Sequence, residues 1–309
     1  MQRLKSLTIV VAIGLFPFFF IGGPDFGSPR SLNGLWNFGH VVFFAAASFW
    51  LISRFSVFSE KGFLAQLFWV AITTLVVGAA IEFIQYGIQR EPDIGDVGRD
   101  ILGAIVAVVL FSERRHELRR GVLLLVRVLV LSLLALPVYS LLVTLLDEWN
   151  LRTAFPQMAD FETTRELSRW SGSAHFERSN QQATRGHYSM RVDLGTEQYS
   201  GVALNYFERD WRGVNTLSVD VFNAEPSPFS MTMRIHDKKH RQSRQLYNDR
   251  FNRSYSLAPG WNHLTIALAE VKNAPQGRSM SLSAIENVSF FVIAQDRQHT
   301  LYIDNVYLK

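Results

Sequence analysis

The sequence predicts a two-part chain: an N-terminal α-helical transmembrane bundle of about five spans, followed by a C-terminal all-β sandwich. Three observations carry this expectation. The first half is almost continuously apolar and the second is polar and mixed, so a mean hydropathy of +0.08 averages two unlike halves. Several apolar runs in the first half approach the roughly 20 residues that cross a bilayer. From Asp160 onward apolar and polar residues alternate in short runs, separated by turns such as Arg185-Gly186, Arg212-Gly213, Glu225-Pro226, Pro259-Gly260 and Gln276-Gly277. The length of 309 residues fits two domains of about 150 each.

Composition narrows the function classes. The net charge is +4, and the basic residues of the first half cluster in short loops, so charge gives no argument for a nucleic-acid partner. The absence of cysteine excludes disulfides, thiol catalysis and cysteine-based metal sites. No internal repeat and no low-complexity tract occurs.

The apolar half divides at its polar loops. Residues 7–23 follow Arg3 and Lys5 and are expected as an uncleaved span kinked at Pro17, because no A-x-A-like cleavage site follows. Residues 35–53 form the second span and contain His40; residues 62–87 form the third. Residues 96–111 form the fourth, with Asp96 as its N-cap. Residues 121–146 form the fifth, broken at Pro137, with Arg127 snorkelling to the near surface. Loop charge orients them. Arg3, Lys5, Arg54, Lys61, Arg114, Arg115, Arg119 and Arg120 fall on one side, and only Arg30, Arg90 and Arg99 on the other. The positive-inside rule then makes the N-terminus cytoplasmic and everything after Leu146 extracytoplasmic. The transmembrane domain is thus residues 1–147, a linker covers 148–157, and the sandwich covers 158–309.

The stretch from Glu82 to Gly103 joins the third and fourth spans at the outer surface. It carries Glu82, Gln85, Arg90, Asp93, Asp96, Arg99 and Asp100. Ionisable groups at a membrane edge are costly unless paired or hydrated, so they mark function by default. Glu82 and Gln85 share a helix face, as do Asp96, Asp100 and Gly103. The same bookkeeping puts His40 at their depth, without showing that they touch. Glu82 is a candidate general base or head-group ligand, or half of a polar clamp between spans. His40 is a candidate proton exchanger, or a hydrogen-bonded packing histidine. Arg90 and Arg99 suit a phosphate. No H-e-x-x-H spacing supports zinc, and neither a phosphate-binding glycine loop nor a G-x-S-x-G elbow occurs.

In the second half, strands are expected at residues 189–193, 202–207, 216–222, 229–235, 263–268, 288–293 and 300–306. Across 231–236, Met231, Met233 and Ile235 alternate with Thr232, Arg234 and His236, so one set faces the core and the other an exposed sheet face. Tyr247, Arg250 and Tyr255 add aromatic and basic groups, making Arg234, His236, Tyr247, Arg250 and Tyr255 the candidate ligand-binding residues. Trp211 and Trp261 are expected to fill the core. The basic run from Arg234 to Arg253 suits anionic glycans or lipid head groups, or a solvated loop.

Two resemblances add to this reading. The pattern Glu82, Gln85, Arg90, Asp96, Asp100, Gly103 resembles the signature of the VanZ-like family of bacterial membrane proteins, over about residues 7–112. The family usually has Asn where this chain has Asp100. Its earlier span carries a His behind an acidic-basic pair; His40 matches, with Trp36 and Asn37 in place of the pair. The family takes its name from a link to glycopeptide antibiotic resistance, and implies a cell-envelope role in the bacterial cytoplasmic membrane. The second half resembles galactose-binding-like jelly rolls, as in carbohydrate-binding modules. The resemblance is carried by Asp160-Phe161-Glu162, Thr184-Arg185-Gly186, Asp210-Trp211-Arg212-Gly213, Leu257-Ala258-Pro259-Gly260-Trp261-Asn262 and Leu301-Tyr302-Ile303-Asp304-Asn305. It implies a structural calcium site near Asp160, Glu162 and Asp304, whose oxygen ligands suit that ion. The expected function is recognition of an envelope glycan or glycolipid by the sandwich, beside a membrane pocket. Three alternatives stay open: an enzyme acting on a lipid-linked substrate, a transporter or proton-coupled channel, and a sandwich that binds a protein.

Overall fold

The computed structural model describes residues 2–21, 23–24, 27–87 and 93–309. Arg90 therefore lies outside the described residues. The chain divides into two compact units, Met1–Leu145 and Leu146–Lys309.

The first unit is helical. Helix α1 (Gln2–Leu15) passes into a 3-10 turn over Phe16–Phe19, with Pro17 in its first positions. Proline has no N–H to donate back to the preceding turn, so the α-helix stops there. Helix α2 (Arg30–Arg54) begins behind Pro29, five residues before the expected span. A single turn, α3 (Ser56–Ser59), leads to α4 (Phe63–Gly87). Helix α5 (Ile94–Phe111) is capped by Asp93, whose side chain accepts from the Gly95 N–H at 2.8 Å. The expected cap, Asp96, instead sits in the first turn. Helix α6 (Arg120–Ala154) runs unbroken through Pro137 and through most of the expected linker.

Three helices have the length and apolarity to cross a membrane: Arg30–Arg54, Phe63–Tyr86 and Arg120–Ala154, with mean hydropathies of 1.5, 2.1 and 2.5. The apolar stretch Ser6–Phe19 is shorter. Helix α5 has 18 residues and carries Asp96, Arg99 and Asp100. The membrane-length helices keep much apolar surface outward, and only 11% of the apolar window in α6 is buried within the chain. Water does not favour such a surface, whereas a bilayer covers it without cost.

Helices α2 and α5 make the closest packing, and Gly103 permits it. A Cβ at Gly103 would lie 2.4 Å from the Val41 carbonyl oxygen. Small residues let helix backbones approach in this way. Gly78 on α4 does the same for the Asp100 carboxylate, which a Cβ there would meet at 2.7 Å.

The second unit begins with the last turns of α6 and is otherwise a sandwich of two antiparallel sheets. Its strands are β1 (Gln157–Ala159), β2 (Trp170–Gly172), β3 (His175–Ser179), β4 (Ser189–Leu194), β5 (Tyr199–Leu204), β6 (Thr216–Asn223), β7 (Phe229–Asp237), β8 (Phe251–Leu257), β9 (Gly260–Ala267), β10 (Ile285–Ile293) and β11 (His299–Leu308). One sheet has the order β3-β4-β11-β6-β9, with β1 also on β11; the other has β2-β5-β10-β7-β8. Short helices α7 (Lys238–Arg241) and α8 (Leu268–Asn273) interrupt the strands. Met190, Val192 and Ile303 of the first sheet meet Met231, Met233 and Phe290 of the second in one core.

Trp211 fills that core, fully buried, and donates its indole N–H to the Glu208 carbonyl at 2.9 Å. Trp261 does not. It lies beside Phe222 on the outward face of the six-stranded sheet, ring centroids 5.2 Å apart. The register pairs it with Phe222, whose parity is opposite to that of the core residues Val219 and Val221. Asp147 on α6 and Arg169 form a buried ion pair, with three N–O contacts of 2.8 to 3.2 Å.

Candidate functional site

Two clusters of polar side chains stand out, one in each unit.

In the helical unit, the α2–α5 contact brings His40 against the acidic face of α5. His40 Nδ1 lies 2.8 Å from Asp100 Oδ1, and His40 Nε2 lies 3.4 Å from Asp96 Oδ2. Both His40 and Asp100 are buried. The imidazole thus has a carboxylate near each ring nitrogen, with the Asp100 contact a hydrogen bond. Asp96 also binds Arg99, which reaches Asp93 at 3.0 Å. Glu82 accepts from the Asp93 N–H at 3.2 Å and lies within Coulombic range of His40, Asp96 and Asp100. Gln85, buried, donates to the Phe19 carbonyl at 2.8 Å and so ties α4 to the turn after α1. The structure thus joins His40, Asp96 and Asp100, keeps Glu82 at the edge, and gives Gln85 a backbone partner. An apolar recess of about 280 Å³, lined by Leu15, Phe19, Leu32, Leu35 and Trp36, has His40 in its wall.

In the sandwich, the outward face of the five-stranded sheet carries a groove of about 300 Å³. Cross-strand register builds it. Ser171 pairs with Ala203, Ala203 with Ser289, Ser289 with Arg234, and Arg234 with Asn252, so these residues form one row across five strands. The next row contains Gly201, Phe291, Thr232 and Ser254. A Cβ at Gly201 would come within 2.5 Å of the Phe291 side chain, so glycine here lets the Phe291 side chain lie across the floor. Tyr199 forms a wall: it is 57% exposed, and its ring lies 6.0 Å from that of Phe291. A polar chain crosses the row. Arg234 donates to Ser289 Oγ at 3.1 Å, Ser289 donates to Asn287, Asn287 donates to Asn205 at 2.9 Å, and Asn205 donates to Ser171 at 2.7 Å.

The groove's charge is unbalanced. Arg234 and Arg250 both line it, and neither forms an ion pair with a carboxylate among the described residues. Arg250 stacks over the Tyr247 ring at 5.5 Å, and Arg234 over the Phe291 ring at 5.8 Å. Burial and the adjacent Arg250 charge pull the Arg234 guanidinium below its usual range. Burial, then the charges of His240, Arg234 and Arg250, push His236 down to about 3, so that it is neutral at pH 7. Four buried polar atoms on this face have no hydrogen-bond partner among the described residues: Arg234 Nε, Arg250 Nε, His236 Nδ1 and Asn252 Oδ1. Each such orphan costs about 1–3 kcal/mol.

Of the five expected ligand-binding residues, Arg234, His236 and Arg250 share this face, and Tyr247 packs beneath Arg250. Tyr255 does not belong. It pairs with Met231 on the core-side parity of β8 and packs against the core. Tyr199, Phe291, Ser171, Ser173 and Ser289 were not expected at the site; their apposition depends on strand pairing that no local pattern reveals.

The three expected calcium ligands converge on one turn, residues 184–188. Glu162 Oε1 accepts from the N–H groups of His187 and Tyr188 at 2.7 and 2.9 Å. Asp304 Oδ2 accepts from those of Thr184 and Arg185 at 2.7 and 3.0 Å. Asp160 lies 3.8 Å from Arg185 Nε. Here the carboxylates serve the turn, and no group of three His, Cys, Asp or Glu among the described residues is set to hold a metal.

No protein-family profile and no curated protein matches this chain. Solved structures match its C-terminal half. A family 11 carbohydrate-binding module from Clostridium thermocellum, in complex with a β-1,3-1,4-mixed-linked tetrasaccharide, is similar at a TM-score of 0.39 and 17% identity, over 49% of this chain and 94% of that one. An exo-β-agarase is similar at 0.41 and 16%, over 50% of this chain and 24% of that one. A xylan-binding domain of module family 22 is similar at 0.33 and 20%, over 49% of this chain and 91% of that one.

Proposed function

We propose that this chain is a cell-envelope membrane protein whose sandwich recognises a glycan or glycolipid on the outward face of its five-stranded sheet. One observation carries the reading. The groove joins an exposed aromatic wall, Tyr199 with Phe291, to a row of hydroxyl, amide and guanidinium groups that includes orphaned polar atoms. Flat rings stack on sugar faces, and groups such as Ser171, Ser289, Asn252 and Arg234 bond hydroxyls. A groove of about 300 Å³ suits one or two sugar residues in an extended chain.

The membrane part of the reading rests on the apolar helices and the loop charges. It has five crossings in a bacterial cytoplasmic membrane, a cytoplasmic N-terminus, an extracytoplasmic sandwich, and a VanZ-like polar pocket of His40, Glu82, Gln85, Asp96 and Asp100 at the outer surface. A second reading is favoured by His40 between two carboxylates: an enzyme on a lipid-linked envelope substrate, using His40 as a proton exchanger. Turnover of such a substrate by the purified chain, abolished in Asp100→Asn as well as in Glu82→Gln, supports the second reading.

The test of the first is binding of the full chain, in a sugar-free non-ionic detergent, to a panel of envelope polysaccharides, beside the Tyr199→Ala variant. Saturable binding to one class, weakened at least tenfold in the variant, is expected. A blank panel overturns the glycan reading and favours a protein partner. Running the titration with calcium and with a chelator tests the calcium role of Asp160, Glu162 and Asp304. Equal affinity in both assigns the three carboxylates to the turn alone.

A further inference from the structure

We infer that the groove selects acidic glycans, with Arg234 and Arg250 as a paired clamp for a sugar carboxylate. This rests on the glycan reading and names its ligand class.

The inference comes from charge accounting at the site. Elsewhere in the sandwich most partly buried arginines meet carboxylates, whereas Arg178 donates to the Phe161 and Glu162 backbone carbonyls. Arg278 bonds both Asp237 and Asp249, Arg241 and Arg209 flank Glu286, and Arg169 meets Asp147. Arg234 and Arg250 depart from that rule although they lie close enough to repel. Two like charges in one desolvated groove disfavour the folded state unless something else holds them, and a bound anion reverses the sign of that interaction. A guanidinium presents donors in a planar fork that fits a carboxylate with two parallel bonds. Ser289 takes one of the two Nη2 hydrogens of Arg234, and the Nε–H is left without a partner.

His236 fits the same account. It stands on the same face, its ring tilted against that of His240 with centroids 4.9 Å apart, and its orphaned Nδ1 adds a neutral polar group rather than a third cation. The aromatic walls place the sugar ring. Tyr199 and Phe291 supply the groove's aromatic surface, and Gly172, Gly201 and Ala203 line it with little bulk. That geometry favours a saccharide over a lipid head group. A head group brings acyl chains, and this groove offers them no apolar run beyond Phe291 and Tyr199.

The test uses oligogalacturonate and its fully methyl-esterified form, which share a backbone and differ in charge. Each is titrated calorimetrically into the full chain in sugar-free detergent, at two salt concentrations. The free acid is expected to bind at least tenfold tighter than the ester and to weaken with salt. The Arg234→Gln and Arg250→Gln variants are each expected to lose at least tenfold toward the acid and little toward the ester. Arg234→Lys guards against a folding artefact: it keeps the charge, loses the fork, and is expected to fall between wild type and Arg234→Gln. Equal binding of acid and ester overturns the acidic class and leaves the glycan reading standing, as does binding of neutral polysaccharides alone. Failure of every saccharide overturns both. Binding of glycerol 1-phosphate that the same variants abolish, with no binding of oligogalacturonate, overturns the proposal in favour of a lipid head group.

Discussion

In the helical unit, cationic and proton-carrying groups are fenced by acid: Arg99 lies between Asp93 and Asp96, and His40 between Asp96 and Asp100. In the sandwich groove, Arg234 and Arg250 face each other's charge and no carboxylate among the described residues. Both regions bury polar groups at a cost. The first recovers it inside the chain, and the second leaves part of it outstanding. A paired cluster holds a structure together whether or not it has another task, whereas an unpaired one is stabilised by what binds it. The two regions should therefore respond in opposite ways to the loss of a charge.

The largest effect is expected at the paired cluster. Asp100→Ala leaves His40 buried with one of its two acidic partners gone, and should destabilise the full chain by about 3–5 kcal/mol, read as thermal unfolding in detergent. Next comes the contact that builds the cluster. Gly103→Ala forces a Cβ onto the Val41 carbonyl and should cost about 1–3 kcal/mol. If Gly103→Ala is neutral, α2 and α5 have room to separate, and the His40–Asp100 bond is not held by their packing.

Acid should act on the groove. The folded chain holds His236 at about 3, against about 6.5 when unfolded. Between those values the unfolded chain binds more protons, so the contribution is full above pH 6.5 and is lost as pH falls toward 3. From pH 7 to 4.5 the loss should be about 1–2 kcal/mol after allowance for solvent reaching a half-buried ring. His240, Arg234 and Arg250 add to the repulsion, and Asp237 opposes it. His236→Gln should flatten this part of the pH profile; an unchanged slope assigns it to other groups. The smallest effect on stability, and the one of opposite sign, belongs to Arg234→Gln, expected to leave the ligand-free chain unchanged or up to about 1 kcal/mol more stable.

Much of this organisation was legible in the chain. Period-two alternation marks β4, β6, β7, β10 and β11, and it places Arg234 and His236 opposite Met233 and Ile235. It fails for β2, only three residues long, and for β3 and β8, whose polar sequences His-Phe-Glu-Arg-Ser and Phe-Asn-Arg-Ser-Tyr-Ser-Leu bury few side chains at a sheet edge. Tyr255 was misplaced for that reason. It stands five residues after Arg250, so an extended strand turns the two to opposite faces, but only once β8 is known to be a strand. Trp261 shows the converse: its parity on β9 puts it outside, although its size suggested the core. Tyr199 and Phe291 meet through the β5–β10 pairing, which is non-local. Loop charges set His40 at the level of Asp100, but the 2.8 Å bond depends on Gly103 and Gly78 making room. Helix α6 outran its expected end because residues 147–154, Asp-Glu-Trp-Asn-Leu-Arg-Thr-Ala, contain no glycine or proline to stop it.

On the reading proposed above, the groove's arginines serve a ligand and not the fold. This is tested most directly by thermal unfolding of the full chain and of the Arg234→Gln, Arg250→Gln double variant, each with and without saturating oligogalacturonate. The variant is expected to be at least as stable as wild type without the saccharide, and only wild type is expected to rise in Tm on its addition. A variant that melts lower without saccharide, yet is raised by it as much as wild type, would show that the two arginines serve the fold and leave the ligand to other residues.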